Sequence, residues 1–341
     1  MEVRILDLDG SVAKQHRLAA RARRVLPLDG WGPNLRMACG WEAFGNFEVA
    51  LARHLNSTRD AAPTLSFLGS GDFHHLSLAM DRRVRRRCNL LVIDNHPDWM
   101  RGVPFLHCGT WVYHAARLPW VDRVFHVGGE VDFDNFYRHA APWKLLQSGK
   151  IVALPAIRRM TGRRWAATPH EVLRPHPEVV VDRERIETLL EPYRADLARR
   201  PLYVSLDRDV LTAEHATINW DSGRLTPPEV FDVLDAFREA SRSLVGMDVV
   251  GDWSPVHVAG LGRWLLHLTE HPHGDVDSLQ AQRLNETLNL ALVERMRERK
   301  VSPLRLAARR GTSSPYRVIR GAFATWQQMP RRNQVDESSY S

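Results

Sequence analysis

The residues best suited to chemistry stand at Asp94-Asn95-His96-Pro97-Asp98, where two carboxylates and an imidazole fall within five positions. They follow directly on the apolar run Leu90-Leu91-Val92-Ile93, the pattern of a strand buried on both faces. Such a strand gains nothing by ending in paired carboxylates unless a cation neutralises them. Carboxylate oxygen suits hard divalent ions, and imidazole completes a mixed N/O set fit for manganese, iron or zinc. Two further groups have the same layout. Gly71-Asp72-Phe73-His74-His75 follows an apolar run over Pro63–Gly69, and Asp207-Arg208-Asp209 follows one over Pro201–Leu206. Residues two apart on an extended segment share a direction, so Asp207 and Asp209 point the same way. One of His74 and His75, with Asp94, His96, Asp98, Asp207 and Asp209, makes about six ligands, enough for two divalent ions with shared carboxylates. Without metal the four carboxylates would repel, and several would stay protonated.

Positioning these groups requires strands that end at one edge of a sheet. Further strands are expected at Val3–Leu8, Arg123–Gly128, Lys150–Pro155 and Leu244–Val250. Helices are expected at Val12–Val25, Trp41–Leu55, Leu78–Arg87, Trp111–Ala116, Asp182–Arg200, Pro227–Ser241 and Arg283–Lys300. Leu28–Gly40 and Arg158–Pro177 read as irregular. Strand–helix alternation predicts a three-layer α/β/α fold around a mostly parallel sheet of about eight strands, with ligands at the strands' carboxyl ends. No linker divides residues 1–300, which are expected to form a single domain; 301–341 reads as a basic tail.

The formal charge of +7 invites a nucleic-acid reading, but its distribution argues against one. From Arg295 onward eleven Lys and Arg face three Asp and Glu, a net of +8, so residues 1–294 carry −1. No apolar run reaches the ~18 residues a membrane span needs. Three cysteines, Cys39, Cys88 and Cys108, at no metal-binding spacing, predict a reduced, cytoplasmic setting.

The three motifs resemble the arginase/agmatinase (ureohydrolase) superfamily, which carries Gly-Gly-Asp-His, Asp-Ala-His-x-Asp and Ser-x-Asp-x-Asp segments in this order. Here they are Gly71–His75, Asp94–Asp98 and Ser205-Leu206-Asp207-Arg208-Asp209, and the likeness runs over residues 64–255. The resemblance implies a divergent member: a binuclear, manganese-dependent hydrolase of a non-peptide C–N bond (guanidino, amidine, formimino or amide), working through a metal-bridging hydroxide. It implies that Asp94 and Asp207 bridge two Mn2+ or other divalent ions. Asp98 and His74 or His75 would complete one ion, and His96 and Asp209 the other. Asp209 would orient the nucleophile, and His107, in Leu-His-Cys-Gly-Thr, would handle the leaving-group proton. The partners implied are a small-molecule substrate and further copies of the chain in a homo-oligomer.

Two elements depart from that pattern. Where family members carry Leu-Asp-x-x-Glu, the Glu gripping the guanidinium, this chain has Met247-Asp248-Val249-Val250-Gly251-Asp252. The family's Gly-x-Arg segment becomes Gly128-Gly129-Glu130. Asp252 and Glu130 are therefore the acids nearest the substrate-binding positions. Two other readings compete: a non-catalytic or regulatory protein on the same scaffold, and a phosphatase. Asp7-Leu8-Asp9-Gly10-Ser11 resembles the nucleophile motif of haloacid-dehalogenase-like phosphatases over about six residues, with Asp7 and Asp9 as the reactive pair.

Overall fold

The computed structural model describes residues 1–55, 62–102, 104–129, 137–154, 183–271 and 276–298. Eight runs form one sheet: β1 (Glu2–Asp7), β2 (Arg24–Pro27), β3 (Thr64–Gly69), β4 (Cys88–Ile93), β5 (Val121–Val127), β6 (Ile151–Leu154), β7 (Leu202–Asp207) and β8 (Leu244–Val250). Their spatial order is β2-β1-β3-β8-β7-β4-β5-β6, and every neighbouring pair is parallel. Strands β3, β8, β7 and β4, far apart in sequence, thus lie side by side. Their carboxyl ends are the ones that carry the polar motifs.

The helices that cover this sheet are α1 (Trp41–Leu55), α2 (Ser77–Val84), α3 (Trp111–Ala116), α4 (Arg183–Leu190), α5 (Pro227–Ala240), α6 (Leu261–Glu270) and α7 (Ser278–Arg297). Successive strand residues face opposite layers. Leu90, Val92 and Val124 join a core with Phe44, Phe47 and Leu51 of α1. Phe125, one position on, meets Tyr193 and Phe237 of α5, each with ring centroids 5.2 Å apart. Helix α5 starts where sequence chemistry says it should. Thr226 precedes two prolines, and Glu229 accepts the Thr226 N–H at 2.7 Å to close a capping box.

Some boundaries differ from expectation, each for a local reason. Val12–Val25 is not one helix; His16–Ala19 forms a single turn and Arg24–Pro27 becomes the edge strand β2. Proline is tolerated there because an edge strand has a free side. The expected Asp182–Arg200 helix breaks around Pro192 into α4, a turn at Glu191–Tyr193 and a helix at Arg194–Arg199. The Leu28–Gly40 loop contributes Ala38–Cys39 to a two-stranded antiparallel ribbon with Leu106–His107. Helix α6 had no counterpart in the sequence reading. Residues Met1–Glu298 gather into one compact unit. Arg158–Pro177 and the 301–341 tail lie outside the described residues.

Candidate metal centre

Each motif side chain is aimed by the backbone at its strand end. After β4 the chain turns back sharply, and Asp98 takes a left-handed φ of 48°, strain of the kind that gathers at functional sites. The His96 N–H donates to Asp94 Oδ1 at 2.7 Å, and the Asn95 N–H to Asp209 Oδ1 at 3.0 Å. After β7 the Asp209 N–H donates to Asp207 Oδ1 at 3.0 Å. His74 sits in the turn Gly71–Leu76 that follows β3.

These turns bring six side chains together. His74 Nδ1 lies 3.1 Å from Asp94 Oδ2, 3.1 Å from Asp98 Oδ2 and 3.4 Å from Asp207 Oδ2. His96 Nδ1 lies 2.7 Å from Asp209 Oδ2 and 4.0 Å from Asp94 Oδ1. Two potential metal groups result, His74-Asp94-Asp98 and Asp94-His96-Asp209, and Asp94 belongs to both. Asp94 Oδ2 is buried and accepts no hydrogen bond, as an oxygen reserved for a cation would. His75 and Asp207 fall outside both groups: Asp207 Oδ2 stays 3.4 Å from His74 Nδ1, while His75 Nδ1 lies 3.7 Å from Cys108 Sγ. The donor set fits a pair of divalent ions.

A polar shell fixes the ligands from behind. His74 Nε2 donates to Ser205 Oγ at 3.0 Å, and that hydroxyl donates to Asp248 Oδ1 at 2.8 Å. Asp248 also accepts from Ser77 Oγ at 2.6 Å and from the Tyr203 hydroxyl at 2.7 Å. This arrangement turns His74 Nδ1 toward the centre, where a cation would replace its proton. Trp111 Nε1 donates to Asp98 Oδ2 at 2.9 Å.

The electrostatics are those of an acidic cluster with no Lys or Arg among its members. Burial, then the Asp94 charge, pushes the Asp98 carboxyl up to about 8. Burial and neighbouring carboxylates likewise raise Asp207 and Asp209. Burial would lower His96, but Asp209 overrides it and lifts the imidazole to about 10; His74 is raised in the same way by Asp94. Extra protons here do the work that divalent cations would do better.

Above this floor opens a cavity of about 360 Å³, walled by Met37, Met100, Phe105, Trp220 and Leu266, with His107 and Cys108 at its side. His107 Nδ1 accepts the Gly109 N–H at 3.1 Å, which leaves Nε2 as the protonated nitrogen. Burial, with the nearby His114, pushes His107 down to about 4, so it is neutral at pH 7.

Other acids from the same motifs have protein partners instead. Asp72 receives Arg36 Nε at 2.6 Å on one oxygen, and Trp220 Nε1 at 2.8 Å and His271 Nε2 at 2.7 Å on the other. Asp252, expected to touch substrate, does not line the cavity; it forms a buried ion pair with Arg208 at 2.5 Å and receives Gln15 Nε2 at 2.6 Å. Gly251, where the ureohydrolase pattern has Glu, has φ +94°, and a Cβ there would stand 2.6 Å from Asp207 Oδ1. Gly129 packs so tightly on the Asn95 carbonyl that a Cβ would approach it to 2.1 Å. Glu130 lies outside the described residues. Asp7 and Asp9 do not form a phosphatase centre. Asp7 Oδ1 accepts the Gly10 N–H in a turn, while Asp9 binds Ser11, the Ser70 N–H and Ser254 Oγ, and neither lines the cavity.

The profile of the Arginase family matches residues 59–256. The chain belongs to the arginase family. An uncharacterized protein of Thermotoga maritima is 26% identical over 257 residues, which cover 74% of this chain and 81% of the relative. Among solved structures, formimidoylglutamase from Bacillus subtilis is 13% identical with a TM-score of 0.50, covering 89% of this chain and 87% of its own. Arginase from Bacillus cereus is 14% identical, also with a TM-score of 0.50, covering 84% and 96%. At these identities the solved structures establish the arginase-like fold. Family membership displaces the dehalogenase-like reading of Asp7 and Asp9. No helix among the described residues is long and apolar enough to cross a membrane.

Sequence reasoning missed Arg36, Trp220, His271 and helix α6. A period of three to four does run through Leu261, Leu265 and Leu268 and could have revealed the helix. Nothing local marks Trp220 or Arg36 as neighbours of Asp72.

Proposed function

We propose that this arginase-family protein is a binuclear metal-dependent hydrolase of a non-peptide C–N bond in a guanidino, amidine, formimino or amide substrate. The observation that supports it most is Asp94, which belongs to both ligand groups and whose buried Oδ2 accepts no hydrogen bond. His74, Asp94 and Asp98 would hold one ion and Asp94, His96 and Asp209 the other, with Asp207, 3.4 Å from His74, as a further carboxylate for the pair. The oxygen-rich set favours Mn2+. Divalent ions there would lower the pKa of a bound water to give a nucleophile at neutral pH, and would stabilise the electron density displaced onto the heteroatom of the attacked group. Asp209, anchored by the Asn95 N–H, orients the attacking water. His107, neutral and donating through Nε2, serves the leaving nitrogen. The apolar walls hold the planar carbon in place and limit bulk water.

The same reading takes residues 1–300 as a single domain with a basic tail, in a cytoplasmic homo-oligomer that light scattering on the purified chain would detect. Metal analysis after manganese loading is expected to give about two equivalents per chain. A panel of guanidino, amidine, formimino and amide compounds, followed for urea, ammonia and carboxylate release, is expected to identify a turned-over class. Less than one equivalent of metal after loading overturns the proposal.

A further inference from the structure

Helix α6 carries its apolar stripe on the side facing solvent. Leu261, Trp264, Leu265 and Leu268 stand at i, i+3, i+4 and i+7, which places them on one face, and they are 71%, 48%, 50% and 40% exposed. The other side of the helix meets the protein largely through polar contacts. Arg263 donates to the Ala38 carbonyl at 3.2 Å and the Ala259 carbonyl at 2.8 Å, and His267 Nδ1 lies 2.7 Å from His271 Nδ1. None of the ten residues of α6 is buried. A helix this short draws its stability from packing an apolar face, and the face that α6 has for the purpose is turned outward.

We propose that this stripe is the docking surface for a second copy of the chain, with α6 pairing antiparallel to its counterpart about a two-fold axis. The axis falls between Trp264 and Leu265. It sets Leu261 of one copy opposite Leu268 of the other, and Trp264 opposite Leu265, so the stripe is complementary to itself. The four side chains expose on the order of 400 Å² of apolar surface, the size at which a patch marks an interaction site. Closing two stripes on each other removes about 800 Å² from water, half of the ~1,600 Å² of a stable interface. The stripe holds no charged residue, as the centre of such an interface requires, and Trp264 supplies the aromatic anchor. An anionic membrane is a poorer occupant, because Arg263 is the one Lys or Arg of α6 and is tied to backbone carbonyls. The inference rests on the homo-oligomer reading above and adds to it the surface through which copies meet.

The test is sedimentation velocity on the full-length, manganese-loaded protein from about 1 to 100 µM. The wild type is expected to sediment as a dimer or a multiple of one. Leu261→Glu/Leu265→Glu, at two exposed positions, is expected to halve that mass or weaken association by at least ~100-fold, with circular dichroism and manganese content unchanged. Leu265→Cys with a short bis-maleimide is expected to give a covalent dimer, whereas the wild type, whose cysteines are buried or half-buried, does not. An oligomer that resists the double substitution and gives no cross-link overturns this surface and leaves the homo-oligomer reading standing. A monomer at every concentration overturns both. Two further outcomes overturn the second copy as occupant: a monomer whose Leu265→Cys thiol is shielded from maleimide, so that the stripe is covered by the chain itself, and a monomer that binds phosphatidylglycerol vesicles only while the stripe is intact.

Discussion

Two sets of buried carboxylates in this molecule come from the same strand ends and have opposite fates. Asp72 and Asp252 each meet a guanidinium, from Arg36 at 2.6 Å and from Arg208 at 2.5 Å. Asp94, Asp98, Asp207 and Asp209 face one another and two imidazoles, with no Arg or Lys among them. The first set is an internal brace. It ties the strand ends to Ser254, Pro255, helix α7 and His271, the residue that follows α6. The second is a destabilising arrangement in isolation and a stabilising one around cations. Residue type does not separate the two sets; charge balance does.

The comparison breaks most sharply under substitution of one member of each set. Asp72→Ala strands a buried guanidinium and is expected to cost ~3–5 kcal/mol in a chemical denaturation experiment, with or without metal. Asp207→Ala is expected to raise the stability of the metal-stripped protein by relieving like-charge repulsion. The same change should weaken manganese binding by more than ~100-fold in a competition titration. Equal loss of metal-free stability in both variants would erase the distinction between the two sets.

How much of this contrast the sequence displays depends on distance along the chain. The metal set is legible because each strand delivers its ligands in a contiguous run, as at Asp94–Asp98 and Asp207–Asp209. The brace is not, since Arg36 and His271 stand 36 and 199 positions from Asp72. The choice between His74 and His75 also lies beyond the sequence, because adjacent residues of a tight turn point in different directions, His74 toward Asp94 and Asp98 and His75 toward Cys108. The fold is legible where strands carry a mostly apolar run, as in β4 and β7, and fails at β2, whose Arg24 and Pro27 carry little strand character.

Metal addition should produce the next largest effect. Manganese at about a hundred times its Kd is expected to add ~2.7 kcal/mol to stability, read as a rise in Tm. Asp94→Asn should abolish most of that rise, while Glu48→Gln, distant from the centre, should leave it intact.

The smallest effect is a slope with pH. Above about 6.5 the unfolded chain has neutral histidines and ionised carboxylates. In the same range the folded, metal-stripped cluster still keeps protons on Asp98, raised to about 8, and on His96, raised to about 10. The native state therefore binds more protons than the unfolded one. Stability falls as pH rises from 7 to 8, by up to ~1.4 kcal/mol per pH unit for each such proton. Manganese, which replaces those protons, should flatten the slope, and identical slopes with and without metal would show that the cluster does not hold it.

Gly251 sets a limit on this chain as well as a shape. Its left-handed backbone leaves no room for a side chain beside Asp207 and the Arg208 amide. A lone Gly251→Glu change would thus push Asp207 or the Arg208 backbone aside before its carboxylate could reach into the cavity. Redesign of specificity at this one position is sterically shut, and any added acid must come from elsewhere around the cavity.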